Sequence, residues 1–235
     1  MNLIIDLQYF PSVILFKNLF NFSNVIFEQY ESYQKMSFRN RCLLAGSEGV
    51  IPLSIPLAKG RDQKTLLKDV KIADGRSWQA QHWKTIVSCY SRSPWFDFYR
   101  EDLEGLYRQP YKFLLDWNRA CFEWTLRTLP MGVPVSLTGE YRKEYDGQEW
   151  VDWRGKFRPK DRGLADGPGD GPAAPAGGGT RGLAGSWSSG GAVIYHQVFE
   201  DRTGFIPDLS ILDLLFCEGK RALSLLSQAG FRSLS

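Results

Sequence analysis

Histidine is almost missing from this sequence. His82 and His196 are the only two in 235 residues, and they stand 114 positions apart. No H-x-x-x-H spacing and no cysteine cluster accompanies them, so no metal centre is expected, and carboxylates would hold Mg²⁺ only beside a bound nucleotide. No other cofactor is expected. Cysteine is sparse as well: Cys42, Cys89, Cys121 and Cys217 are widely spaced and form no C-x-x-C pair. They read as reduced, buried thiols of a cytosolic protein. An excess of one charge is also lacking. The 29 Lys and Arg against 26 Asp and Glu leave a net charge of +3, with no basic block. Nucleic acid is therefore not an expected partner, while a small anionic ligand is compatible. No apolar run approaches the ~18 residues of a membrane helix. The start, Met1-Asn2-Leu3-Ile4-Ile5-Asp6, has no basic segment ahead of its apolar run, so a secretory signal and membrane insertion are not expected and the cytoplasm is.

Aromatic side chains are plentiful. Eight Trp and fifteen Phe are ample for a core and suit the walls of a ligand pocket. The first forty residues organise the rest. Residues 2 to 7 read as a short buried strand. Pro11 suits the first turn of a helix, and the apolar pattern from Val13 to Asn21 suits a mostly buried one. Asn24 to Glu28 reads as a second strand. Strand, turn, helix and strand make a βαβ unit, whose ligands bind at the carboxyl ends of the strands. Gln8 and Tyr9 then border the site, as do Glu28 to Tyr30. The expected fold is α/β: a single domain over 1–235 with an N-terminal βαβ Rossmann-like unit, a mixed sheet and flanking helices.

Lys35, Arg39 and Arg41 put three cations within seven residues. Arginine forks suit phosphate or carboxylate recognition, but the residues alone fit a solvated turn equally. A hairpin is expected over 41–57, a polar binding loop over 58–65 and a strand over 68–72. Ser77 is a suitable N-cap for a helix reaching about Tyr90. Trp78 and His82 share one face of it. A lone helical histidine is ordinarily structural, yet imidazole is also the side chain best poised for proton transfer near neutral pH. Tyr111 to Thr128 forms an amphipathic helix, Gly132 to Thr138 a strand, and Ala192 to Phe199 an extended segment. Ser210 should cap a C-terminal helix with Asp213 as its capping-box partner. Between these elements, residues 163 to 191 hold eleven of the 23 glycines. Such a stretch cannot bury a core, and 160–191 is expected to be a disordered internal loop.

Several blocks in this order resemble the WbqC-like family of bacterial proteins. They are Gln8-Tyr9-Phe10-Pro11, Lys35-x3-Arg39-Asn40-Arg41, Leu53-x-Ile55-Pro56-Leu57, Lys68-Asp69-Val70-x-Ile72, Trp78-Gln79-x-Gln81-His82-Trp83 and Val198-Phe199-Glu200-Asp201, followed by the run from Gly204 to Phe216. Two positions depart from the pattern: Tyr9 stands where much of the family has proline, and the helix after Pro11 lacks a glycine common in relatives. The resemblance implies a role in O-antigen or other surface-polysaccharide biosynthesis. It implies an acyl or aminoacyl (glycine-like) transferase acting on an amino sugar or nucleotide-sugar. On that reading His82 is the general base. Gln8, Tyr9, Lys35, Arg39, Asn40, Arg41, Trp78 and His196 bind the substrate. Two other classes stay open. The N-terminal unit faintly resembles nucleotidyltransferases, but lacks their histidine at the turn. A non-catalytic binding or scaffold protein of the same pathway is the other. The enzyme readings expect Arg39, Arg41 and His82 to share one concave pocket.

Overall fold

Two apolar, β-branched runs begin the chain's architecture. Asn2–Asp6 (β1) and Asn24–Glu28 (β2) pair in parallel, with Asn2 opposite Asn24 and Asp6 opposite Glu28. Parallel neighbours need a crossover, and the helix Val13–Leu19 (α1) supplies it, so the expected βαβ unit is present. Val135–Leu137 (β5) adds to β2 and Trp150–Asp152 (β6) adds to β1. The result is a parallel four-stranded sheet in the order β5-β2-β1-β6. This computed structural model describes residues 1–60, 63–74, 77–145, 147–157 and 192–231; the Gly-rich 160–191 loop lies outside them.

The sheet is not mixed. The antiparallel hairpin of Arg41–Gly46 (β3) and Gly49–Ser54 (β4) forms a two-stranded sheet of its own. Only Ser47 and Glu48 separate the two runs, so each pairs with the other through a tight hairpin. The expected strand over 68–72 is instead a 3-10 turn, Leu67–Asp69, followed by single bridges from Ile72 to Leu57 and Lys71 to Phe113. Its amides bond to loop carbonyls, Leu67 to Glu31 and Lys68 to Gln29, so no ladder can form.

Helices Trp78–Tyr90 (α2), Phe96–Arg108 (α3) and Leu114–Thr128 (α4) follow. The apolar stripe of α4 covers one face of the sheet, where Phe122 packs 5.4 Å from Phe16 of α1 and 4.8 Å from Phe27 of β2. Burying such rings contributes the largest share of the fold's driving force. After the short helix Glu200–Thr203 (α5), the helices Ile211–Glu218 (α6) and Arg221–Phe231 (α7) close the chain. Gly219 ends α6 with φ 54°, and a Cβ there would strike the Trp95 ring, so only glycine fits. Among the described residues no helix is long and apolar enough to cross a membrane.

Ser210 caps α6 as its sequence suggests, its hydroxyl accepting from Leu212 N at 3.3 Å. Asp213 does not complete a capping box. Its carboxylate turns into the core and accepts from Tyr90 Oη at 2.7 Å, Tyr195 Oη at 2.6 Å and Gln197 Nε2 at 3.1 Å. Burial pushes this carboxyl up, and the three donors pull against it. The 192–199 segment alternates in burial like a strand but joins no sheet; Tyr195 and Gln197 anchor it to Asp213 instead. Each buried donor left unpaired costs about 1–3 kcal/mol. Asp213→Leu should therefore lower the unfolding free energy by at least about 3 kcal/mol in a urea titration. A loss below about 1 kcal/mol would mean that these bonds do not hold the segment.

Candidate functional site

Acids end both central strands. Asp6 and Glu28 face one another in register at the carboxyl ends of β1 and β2, where parallel α/β sheets bind their ligands. Both are buried. The turn after β6 reaches across to them. Gly155, at φ 60°, takes the left-handed conformation that glycine favours, and its N–H donates to Asp6 Oδ1 at 2.7 Å. Arg154 Nη1 lies 3.6 Å from Glu28 Oε2. Glu28 Oε1 accepts from Tyr30 N at 2.7 Å and Thr138 Oγ1 at 3.0 Å.

Arg39 enters from the opposite side. Its side chain is 0% exposed, and Nη2 lies 2.8 Å from Glu31 Oε2 and 3.7 Å from Asp6 Oδ1. Asn118 of α4 fixes the backbone beneath, donating to Arg39 O at 2.7 Å and Leu7 O at 3.3 Å. Gln8 Nε2 donates to Asp6 Oδ2 at 3.3 Å. Arg154 is held by Asp152, with Nη2 2.6 Å from Oδ2. Burial pushes the Glu31 carboxyl up and Arg39 pulls it back. Burial also acts to raise Asp152, but its bonds to Arg154 win and hold it below its ordinary value; the same pairing raises Arg154.

Four polar atoms in this cluster have no hydrogen-bond partner among the described residues. They are two acceptors, Gln8 Oε1 and Glu28 Oε2, and two donors, Arg39 Nε and Nη1. Buried polar groups in folded proteins are nearly always paired. A cluster with both donors and acceptors left over is suited to a ligand whose own groups do both.

Tyr9 points the other way, because successive residues of an extended chain face opposite sides. Its hydroxyl meets His82 Nδ1 at 3.1 Å and Tyr107 Oη at 2.5 Å. Trp78 packs edge-on against His82 and Trp117. His82 thus sits in an aromatic cluster. Burial lowers its pKa to about 4, against a hydrogen bond to the Ser54 backbone that raises it, so the ring is neutral at pH 7. Phe10, the next residue, holds φ 37°. That is a strained conformation for a bulky side chain, fixed by Ser210 Oγ donating to Phe10 O at 3.0 Å.

Of the residues singled out from the sequence, the fold brings Gln8 and Arg39 together. Tyr9, Trp78 and His82 gather in the aromatic cluster. Asn40 ties loops together, accepting from Tyr33 Oη and donating to Ile55 O, each at 3.0 Å. Arg41 Nε reaches Ser54 Oγ at 3.2 Å on the hairpin. Lys35 is exposed. His196 is exposed and lies 3.0 Å from Glu200. Arg39 turns inward to Glu31 and Asp6, whereas Arg41 bonds to Ser54 and His82 to Tyr9, so the three have different partners. Sequence reasoning missed Asp6, Glu31, Thr138, Asp152 and Arg154 as site residues and valued Glu28 only as a border. The available signal was an acid at the end of each apolar strand. No group of three or more His, Cys, Asp and Glu side chains among the described residues could hold a metal ion. On the α4 side of the same strand ends lies a groove of about 280 Å³, walled by Leu7, Phe27, Phe122, Val135 and Leu137, with Ser136, Arg119 and Glu123 also lining it.

The folded state binds the His82 proton more weakly than the unfolded chain, whose histidine titrates near 6.5. Stability is therefore unaffected above that value and falls as the pH drops from about 6.5 toward 4, by up to about 1.4 kcal/mol per pH unit. His82→Gln should remove this part of the slope in unfolding titrations at pH 4.5, 5.5 and 7. An unchanged slope would show that another group carries it.

Comparison with known proteins follows the same blocks. No curated protein and no solved structure matches the chain. The WbqC-like protein family matches over residues 8–225, which contain Gln8, Glu28, Arg39, Thr138 and Arg154 of the cluster together with the whole aromatic network. The chain belongs to the WbqC-like protein family.

Proposed function

We propose that this protein is a transferase of surface-polysaccharide biosynthesis that moves an acyl or aminoacyl group, glycine-like in size, onto an amino sugar or nucleotide-linked sugar. The observation that carries the reading is the set of unpaired atoms at the ends of β1 and β2. Sugar hydroxyls and amines donate and accept at once, and Gln8 Oε1, Glu28 Oε2, Arg39 Nε and Arg39 Nη1 offer both complements within one buried cluster. Carboxylates and a guanidinium make stronger hydrogen bonds than neutral groups.

In the transfer, the sugar's amine attacks the donor's carbonyl carbon, the new C–N bond forms, and the donor's leaving group departs. The amine proton goes to a carboxylate of the cluster, Asp6 or Glu28. His82 contributes by holding Tyr9 and so the turn that carries Gln8, because its Nδ1 is engaged by Tyr9 Oη. A diphosphate attached to the sugar would extend toward Lys35 and Arg41, which flank Arg39 in the chain. The apolar groove beside Leu7 and Phe27 is available to the donor's apolar part.

Thermal unfolding with a panel of nucleotide-sugars, free amino sugars and free nucleotides tests this reading. A sugar-bearing ligand at a hundredfold excess over its Kd should stabilise the protein by about 2.7 kcal/mol. Gln8→Leu, which removes an unpaired acceptor, should abolish the shift while leaving the unliganded protein folded. A panel in which nucleotides alone shift the midpoint, or in which no compound does, would sink the sugar-transferase reading.

A further inference from the structure

We infer that the Asp6–Glu28 pair is a receptor for a primary ammonium group. The inference rests on the reading of this cluster as the sugar site, and it names the substrate group that the cluster selects. Charge is the first support. Four carboxylates, of Asp6, Glu28, Glu31 and Asp152, share two guanidiniums, and each guanidinium is committed at short range to one of them: Arg39 to Glu31 at 2.8 Å and Arg154 to Asp152 at 2.6 Å. Asp6 and Glu28 are left 3.7 and 3.6 Å from the nearest arginine nitrogen. Each arginine stands beyond hydrogen-bond distance of these two buried carboxylates, so a further cation bonded directly to them would stabilise the pair.

Hydrogen-bonding capacity is the second support, and it adds an acceptor that is not an acid. The Gln8 side chain, in a residue 1% exposed, is tied to Asp6 through Nε2, and its Oε1 has no partner among the described residues. With Glu28 Oε2 and the remaining lone pairs of the Asp6 carboxylate, whose oxygens already accept from Gly155 N and Gln8 Nε2, it makes three acceptors. A primary ammonium brings three N–H donors and no acceptor. Spacing agrees. Asp6 and Glu28 are register partners on adjacent strands, about 4.8 Å apart along the backbone, so their side chains leave the sheet side by side.

A divalent cation fits less well. Hard cations take six or more oxygen ligands, whereas two arginines already approach this pair, and Arg39 keeps two buried N–H donors, Nε and Nη1, without a partner among the described residues. Those donors suit a neighbouring hydroxyl or ring oxygen of the same ligand. The receptor therefore matches a vicinal amino alcohol, the arrangement found in an amino sugar.

Calorimetric titration of the unmodified protein tests this with glucosamine, glucose, N-acetylglucosamine, ethanolamine and MgCl₂. Glucosamine and ethanolamine should bind, and glucose and N-acetylglucosamine should bind at least about tenfold more weakly, the effect of one lost charge-assisted bond. Glu28→Gln should erase the preference. Equal affinity for glucosamine and glucose would overturn the inference while leaving a sugar site intact. Binding of ethanolamine without any sugar would support the ammonium receptor and count against the sugar reading. Binding of MgCl₂ alone, or of none of the five, would overturn it.

Discussion

The guanidinium of Arg39, wholly buried against Glu31 and Asp6, is the interaction on which the sheet's functional end depends. Taking an arginine out of water is affordable only where charges and hydrogen bonds replace the hydration it loses. Here the replacement comes from two separate parts of the chain, Asp6 at the end of β1 and Glu31 in the loop after β2, while Asn118 of α4 secures the backbone at Arg39 and Leu7. Removing one partner of such a pair leaves a buried charge uncompensated, at a cost of about 3–5 kcal/mol. The arrangement is a demanding one to keep for stability alone. Its leftover donors and acceptors are the reason to read it as a site.

Two networks lie back to back along one extended turn. Gln8 faces the charged cluster and Tyr9 faces the aromatic one, since neighbouring side chains alternate. The aromatic network anchors Tyr9 through His82 and Tyr107, and Phe10 then bends at positive φ under the grip of Ser210. A rigid aromatic side thus positions a polar side. This accounts for a neutral, buried histidine beside a candidate site: it holds the turn in place, and low local polarity keeps it uncharged.

Much of the fold was legible because its signals are local. The apolar runs of β1 and β2, the pattern of α4 and the Ser210 cap each read correctly within a few residues. What was not legible depended on distance. β6 is three residues long and owes its existence to the free edge of β1. The 68–72 run looked like a strand, but its amides found loop carbonyls first. Asp213 looked like a capping residue until two tyrosines from remote segments claimed it. In the candidate site, Gln8 and Arg39 were readable from the strand end and the cationic cluster. Their partners were not: Glu31 has no mark that sets it apart from its polar neighbours, and Asp152 and Arg154 sit more than a hundred residues downstream. Trp78 and His82 share a helix face as their spacing implies, and alternation places Tyr9, which meets His82, on the far side of the turn from Gln8.

A crystal structure of the protein with glucosamine bound tests the central claim most directly. The account predicts the sugar's nitrogen within hydrogen-bond distance of Glu28 Oε2 and Gln8 Oε1, with a ring substituent against Arg39. Glucosamine seated in the groove beside Phe122, or against His82 and Tyr9 with the charged cluster untouched, would contradict it.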